Sequence, residues 1–268
     1  NVLECEVFDR TRLILEIFEN TALSAEGKTQ VEIAMLQFQK SRLTGRGIHM
    51  SQQAGGIGVR GGPGETAKES DLRYINDHIH KLRKQLKQIE KTREVQRKKR
   101  MLSKVPKISI IGYTNAGKST ILNTLTKAAV LAEDKLFATL DTTTRELFNE
   151  DRQIGVISDT VGFIQQLPHQ LVEAFKSTLS ELKYSDLLLH VIDASDKNWD
   201  MHAQIVHTIL EELEVDKPIL YVFNKIDLVE DMEELKAQSE DYTPNVTISA
   251  TNAKGIKPLK DYLSNWHK

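Results

Sequence analysis

The sequence predicts an α/β domain with a mainly parallel sheet over residues 105–268. An antiparallel helical hairpin, a coiled coil with a glycine-rich tip loop, precedes it within residues 1–104. Three observations predict this. From Lys107 onward, short β-branched stretches alternate with helical patterns, the signature of βαβ units. Leu72, Ile75, Ile79, Leu82, Leu86 and Ile89 recur at spacings of 3, 4, 3, 4 and 3, the seam of a coiled coil. Finally, residues 45–64 hold 8 of the 14 glycines and separate that seam from another amphipathic stretch.

In chain order, residues 2–18 mix short apolar runs without a clear period. From Thr29, Val31, Ala34, Met35 and Phe38 trace a helical face expected to end near Thr44. The glycine-rich loop is then expected over 45–64. It ends in Arg60-Gly61-Gly62-Pro63-Gly64 but carries Ile48, Met50, Ile57 and Val59, so it lacks the serine bias of an inert spacer. The seam helix follows. Strands are predicted at 108–111, 154–158, 187–192, 219–224 and 246–249, with helices starting near Gly117, His169, Met201, Asp231 and Ile256.

The net charge of −2 conceals a partition. Residues 1–67 carry 7 basic and 8 acidic side chains, residues 68–104 carry 13 and 5, and residues 105–268 carry 16 and 25. A strongly basic helix therefore precedes an acidic domain, which points to a polyanionic partner for the helix, against the plainer reading of a solvated face. The single cysteine, Cys5, excludes a disulfide framework and any multi-cysteine metal site, and suggests a reducing compartment. No apolar run approaches the roughly 18 residues of a membrane-crossing helix. The chain opens on Asn1, which reads as a fragment or processed form.

The chemistry is carried by four stations. Gly112-Tyr113-Thr114-Asn115-Ala116-Gly117-Lys118-Ser119 follows an apolar strand and opens a helix, as a phosphate loop (P-loop) requires. Its glycines let backbone N–H groups turn toward phosphate, and the helix N-terminus adds positive potential. Lys118 would bridge terminal phosphates and the Ser119 hydroxyl would bind Mg²⁺. Asp159-Thr160-Val161-Gly162 follows a strand, placing a carboxylate to reach Mg²⁺ through water and Gly162 N–H to reach the γ-phosphate. Asn224-Lys225-Ile226-Asp227 follows another. The Asp227 carboxylate can accept from guanine N1–H and N2–H₂, and an acceptor left unpaired by adenine costs about 1–3 kcal/mol. Lys225 would lie along the purine face, and Asn224 would tie the base loop to the phosphate loop. Ser249-Ala250-Thr251 can offer a backbone N–H to the guanine carbonyl. In order, the stations predict a GTP site.

These motifs, with Phe137-Ala138-Thr139-Leu140-Asp141, Phe163-Ile164 and the loop segment Gly55-Gly56-Ile57-Gly58-Val59-Arg60, resemble the HflX family of the Obg-HflX group of translational GTPases. The resemblance covers nearly the whole chain. It implies a P-loop GTPase domain preceded by a remnant of the family's N-terminal domain, because members usually begin well before a position like Asn1. It also implies association with the large ribosomal subunit, splitting or rescue of stalled ribosomes, and a cytoplasmic or organellar-matrix location. Thr139 would complete Mg²⁺ coordination with Ser119, with Thr142, Thr143 and Thr144 as competitors. Phe163 stands where Ras-like enzymes carry a water-positioning Gln, and a phenyl ring cannot orient water. Either turnover is slow without the ribosome or another group contributes. Related GTPases with Asn at the position of Asn115 use it to hold K⁺, which would supply charge beside the phosphates; the plainer role is loop stabilisation. His169 and the Asp193-Ala194-Ser195 turn are read as structural. The RNA-facing elements would be the basic helix over 81–104 and the glycine loop. A GTPase of RNA modification or ribosome assembly, or a GTP-regulated interaction module, are the alternatives.

Overall fold

The computed structural model describes residues 7–50, 67–101, 105–126, 143–149, 152–160, 162–164, 179–252 and 254–266. Phe137, Ala138, Thr139, Leu140, Asp141, Thr142, Val161 and the helix expected near His169 lie outside these residues, as do residues 51–66 of the glycine-rich stretch. The described residues form two compact units, one ending at Arg100 and the other beginning at Met101.

The first unit is helical. Helix α1 (Arg10–Thr21) forms where the sequence showed no clear period. Asp9 caps it by accepting the Arg12 N–H at 2.8 Å, and Ile14, Leu15 and Phe18 make a short buried face. Helix α2 (Ala25–Met50) starts four residues before the expected Thr29, because the Ser24 hydroxyl accepts the Gly27 N–H at 2.8 Å and so caps the first turn. It also runs past the expected end. The glycine-rich loop was placed at 45–64, whereas helix continues through Gly45 and Gly47 to Met50. A glycine costs a helix only about 1 kcal/mol relative to alanine, too little to stop one already packed along its length.

Helix α3 (Ala67–Met101) carries the 3-4 seam. Ile75, Ile79 and Leu82 are buried and cluster with Ile33, flanked by Leu36, Leu43 and Leu86. Lys40 Nζ donates to Asn76 Oδ1 at 2.7 Å, and His78 Nε2 lies 3.3 Å from Glu32 Oε1. Going up α2 these partners go down α3, so the hairpin is antiparallel, as expected. Lys81, Arg83, Lys84, Lys87 and Lys91 all lie off the seam and are exposed.

The second unit is a six-stranded sheet: β1 (Lys107–Gly112), β2 (Thr143–Asn149), β3 (Arg152–Asp159), β4 (Leu187–Asp193), β5 (Ile219–Asn224) and β6 (Asn245–Thr247). The order is β2-β3-β1-β4-β5-β6. Every pairing is parallel except β2 with β3. The sequence reading left out β2. Its polar residues match a sheet edge: Leu147 is buried, and Thr144, Arg145, Glu146, Phe148 and Asn149 are exposed. Thr143 and Thr144, competitors for the metal-binding threonine, pair in this strand with Asp159 and Ser158. The near-continuous apolar runs of β1 and β4 reflect burial on both faces. Helix α4 (Lys118–Thr126) and helix α7 (Lys257–Asn265) pack with them in one cluster, including Ile110, Leu122, Val191, Val222 and Leu259. Helix α5 (Trp199–Glu212) and helix α6 (Met232–Gln238) contribute Trp199, Ala203 and Leu235 to a second cluster with Phe223. The carboxyl ends of β1, β3 and β5 all carry predicted stations, which is where ligands bind in open α/β sheets.

Candidate nucleotide site

The phosphate loop departs from β1 through backbone that only glycine tolerates well. Gly112 has φ +147°, and a Cβ there would run into the Val191 carbonyl of β4. Gly117 has φ +94°, and a Cβ there would strike the Asn224 amide. Between them Asn115 is left-handed at φ +62° and exposed. Asparagine is among the residues that adopt this region most readily. The two glycine positions let the loop press against β4 on one side and the β5 end on the other.

Lys118 opens α4, is buried, and curls back to donate from Nζ to the Tyr113 carbonyl at 2.7 Å. Burial pushes its pKa down from 10.5 to about 8, with the Asp159 carboxylate pulling the other way. The Ser119 hydroxyl donates to Asp159 Oδ2 at 2.7 Å. Asp159 is fully buried at the end of β3 and accepts the Thr160 N–H at Oδ1, 2.9 Å away. The Thr160 hydroxyl donates to the Ile110 carbonyl at 2.7 Å, locking this strand end to β1.

Gly162 lies against the loop. A Cβ there would sit 2.9 Å from Lys118 Nζ and 3.0 Å from the Thr114 methyl. Phe163 follows as a parallel bridge to Tyr113. Its N–H donates to the Gly112 carbonyl at 3.1 Å, and its carbonyl accepts the Thr114 N–H at 2.7 Å. Phe163 is also buried.

Asn224 joins the two halves. Its Nδ2 donates to the Ala116 carbonyl at 2.9 Å, and its Oδ1 accepts the Ala250 N–H at 3.0 Å. Ser249 N–H donates to the Gly255 carbonyl at 3.3 Å, so Ser249 and Ala250 both have engaged N–H groups and Thr251 is the remaining candidate for a base carbonyl. The Ser249 and Thr251 hydroxyls lie 2.9 Å apart. Lys225 is left-handed at φ +62°, with Nζ 2.7 Å from Asp193 Oδ2. Asp193 Oδ1 in turn accepts from Ser195 N–H and Oγ, so the turn read as structural orients this lysine. Ile226 is half-buried against the Phe223 cluster, whereas Asp227, one residue on, is exposed at the loop surface.

Two residues near the site, His202 and His190, carried no sequence signal, and nothing in the motif paired Tyr113 with the first of them. Tyr113 stacks on His202 of α5 with ring centroids 3.8 Å apart and planes 9° apart, and His202 is held by Asp196 at 3.2 Å. His190 of β4 is buried beneath the loop. Helix α5 and the loop meet only in three dimensions, so no spacing rule could pair them.

Residues 21–100 match the family described as GTP-binding GTPase Middle Region, and residues 107–225 match the one described as 50S ribosome-binding GTPase. GTPase HflX of Magnetococcus marinus is 49% identical over 97% of this chain and 60% of its own length. GTPase HflX of Escherichia coli is 48% identical over 97% and 62%. The chain belongs to the HflX family. It spans about three-fifths of the length of these HflX relatives. A GTP-binding protein of Sulfolobus solfataricus in complex with GDP superposes with a TM-score of 0.60 at 29% identity, over 96% of this chain and 71% of that one.

The Lys118 environment sets a pH dependence for any polyphosphate in this HflX site. Above about pH 8 the folded, ligand-free protein releases the Lys118 proton, whereas the unfolded chain holds it to about 10.5. Unfolded chain then binds more protons, so this group makes stability rise with pH across that window. A phosphate held beside Lys118 would draw the proton back. GDP binding is therefore expected to take up a proton at pH 9 and to weaken as pH rises. Titration calorimetry in buffers of different ionisation enthalpy measures this, and Lys118→Met should abolish the uptake. Proton-neutral binding at pH 9 would contradict it.

Proposed function

We propose that this chain binds GTP, hydrolyses it to GDP and phosphate, and acts on the large ribosomal subunit. The observation that carries the nucleotide reading is Asn224, whose two hydrogen bonds hold the phosphate loop and the Ser249-Ala250-Thr251 turn around one cleft, with Asp227 three residues on. Backbone N–H groups of Asn115, Gly117, Lys118 and Ser119 would donate to phosphate oxygens, and Lys118 would exchange the Tyr113 carbonyl for the terminal phosphates. Asp227 would accept from the guanine edge, with Lys225 steadied by Asp193.

The donor set suits Mg²⁺. A serine hydroxyl and a buried carboxylate are hard oxygen ligands, and Mg²⁺ keeps waters and phosphate oxygens as its other partners. Ser119 would bind it directly and Asp159 through water, with Thr139 as the third protein oxygen. Bound there, the ion would neutralise charge developing on the β- and γ-oxygens. Gly162 N–H would meet the γ-phosphate. Because the Phe163 ring is buried and its backbone is bridged to the loop, the group that assists the attacking water is sought elsewhere. Asn115, exposed at the loop crest, supports a K⁺ seat.

For the ribosome reading, the support is the exposed cationic series on α3 from Lys81 to Lys91, set off the packed seam. Such a face suits RNA phosphate. Splitting or rescue of stalled ribosomes is the action this reading implies.

Two measurements test the nucleotide half. Asp227→Asn should weaken GTP binding by about tenfold to a hundredfold, since one acceptor is lost and an amide N–H then faces the guanine donors. It should gain xanthosine triphosphate, whose C2 carbonyl matches the new donor. Unchanged preference among GTP, ATP and xanthosine triphosphate would remove Asp227 from the base site. Turnover should also be faster in KCl than in NaCl of equal ionic strength, and Asn115→Ala should erase the difference; equal wild-type rates in the two salts would remove the K⁺ seat.

A further inference from the structure

The peptide that joins Tyr113 to Thr114 is shared by three parts of the site. Its N–H donates to the Phe163 carbonyl at 2.7 Å, and its carbonyl accepts from Lys118 Nζ, also at 2.7 Å. Turned backbone lies on both sides of it, with Gly112 at φ +147° and Asn115 at φ +62°. The orientation of this one peptide therefore sets where the loop, Lys118 and the Phe163 segment stand relative to one another.

On its flank toward α5 the loop borders a cavity of about 140 Å³, with Tyr113, Thr114 and Asn115 on one side and Trp199 and His202 on the other. Close packing does not hold the loop where that space lies. The Tyr113 ring crosses to α5 there and stacks on His202, with ring centroids 3.8 Å apart and planes 9° apart.

His202 is itself held. Trp199, Ala203, Val206 and Leu210 form the buried stripe of α5, and His202 stands half-buried at its edge. Its Nδ1 lies 3.2 Å from Asp196 Oδ2. A carboxylate at that distance favours a proton on Nδ1 and fixes the plane of the ring. Asp196 Oδ1 accepts the Asn198 N–H at 2.9 Å, and the Asp196 carbonyl accepts the Trp199 N–H at 3.0 Å, so the carboxylate is tied to the start of α5. Three residues earlier in the same turn, Asp193 holds Lys225.

We propose that His202, oriented by Asp196, is a positioning residue for the phosphate loop. Its stack on Tyr113 holds the Tyr113–Thr114 peptide, and with it Lys118 and the Phe163 segment, in the arrangement that a polyphosphate meets. The turn at 193–196 thus braces both ends of one nucleotide, the base end through Asp193 and Lys225 and the phosphate end through Asp196 and His202. This inference rests on the nucleotide reading proposed above. Without the stack, ordering the loop falls to the ligand, and the cost appears as weaker binding.

The test compares His202→Phe with His202→Leu in the whole chain. Both side chains are apolar and both are tolerated in a helix, but only phenylalanine keeps a ring to stack. By titration calorimetry, His202→Leu should weaken GDP binding by about threefold to tenfold, the worth of one aromatic pair, whereas His202→Phe should stay within about twofold of the wild type. The loss should be the same for inosine diphosphate, because the base end is untouched. In proton NMR spectra of the wild type, the imidazole C–H resonances that vanish in His202→Phe should lie upfield, under the stacked tyrosine ring, and should move when GDP is added. Equal GDP affinity in all three proteins, a His202→Phe as weak as His202→Leu, a loss seen with GDP but not with inosine diphosphate, or imidazole resonances at unstacked positions would overturn the proposal and leave the nucleotide reading standing. A wild type that binds no GDP would overturn both.

Discussion

The strand-end rim that carries the sequence motifs depends on one buried amide. Asn224 is 2% exposed and spends its side-chain nitrogen on the Ala116 carbonyl and its oxygen on the Ala250 N–H. The three segments it joins are far apart in the chain and leave the sheet at separate strand ends. In a buried setting, loss of the amide would strand a carbonyl and an N–H at once, each unpaired in low dielectric. Close packing around it excludes alternatives: a Cβ at Gly117 would occupy the space of the Asn224 nitrogen. The glycine at that position is therefore required by the close approach of Asn224 to the loop.

The parallel sheet explains why one residue can do this. Strands β1, β4 and β5 are adjacent and in register, with Gly112 opposite Val191 and Asp193 opposite Asn224. Their carboxyl ends form one rim with that of β3, and three of its residues turn a polar group sideways to a neighbour: Asp193 to Lys225, Asn224 to Ala116, Asp159 to Ser119. The rim is thus cross-braced before any ligand arrives. Such preorganisation is what phosphoryl transfer asks of a protein, since positioning and charge do most of the work.

Much of this was legible in the sequence, for identifiable reasons. The phosphate loop, the two Asp stations and the coiled-coil seam are local patterns, and each predicted strand has its counterpart within one or two residues at either end, the short β6 included. The Asn224 bridge was legible as well, because its partners belong to motifs. What escaped depends on tertiary context. Strand β2 is a polar edge whose pairing is set by β3. Helix α2 persists through two glycines because it is packed along its length. The Tyr113–His202 stack, the Lys225–Asp193 pair and the burial of His190 depend on how β4 lies beside α5 and β5, with no sequence spacing to announce them.

We propose a cross-braced rim that hydrolyses GTP and whose turnover answers to the large ribosomal subunit. The most direct test is steady-state phosphate release from GTP by this chain, alone and with purified large ribosomal subunits, at low and raised salt. Release should be slow alone, rise with the subunits, and lose that stimulation as salt screens the cationic face of α3. Release that is identical with and without subunits would contradict it.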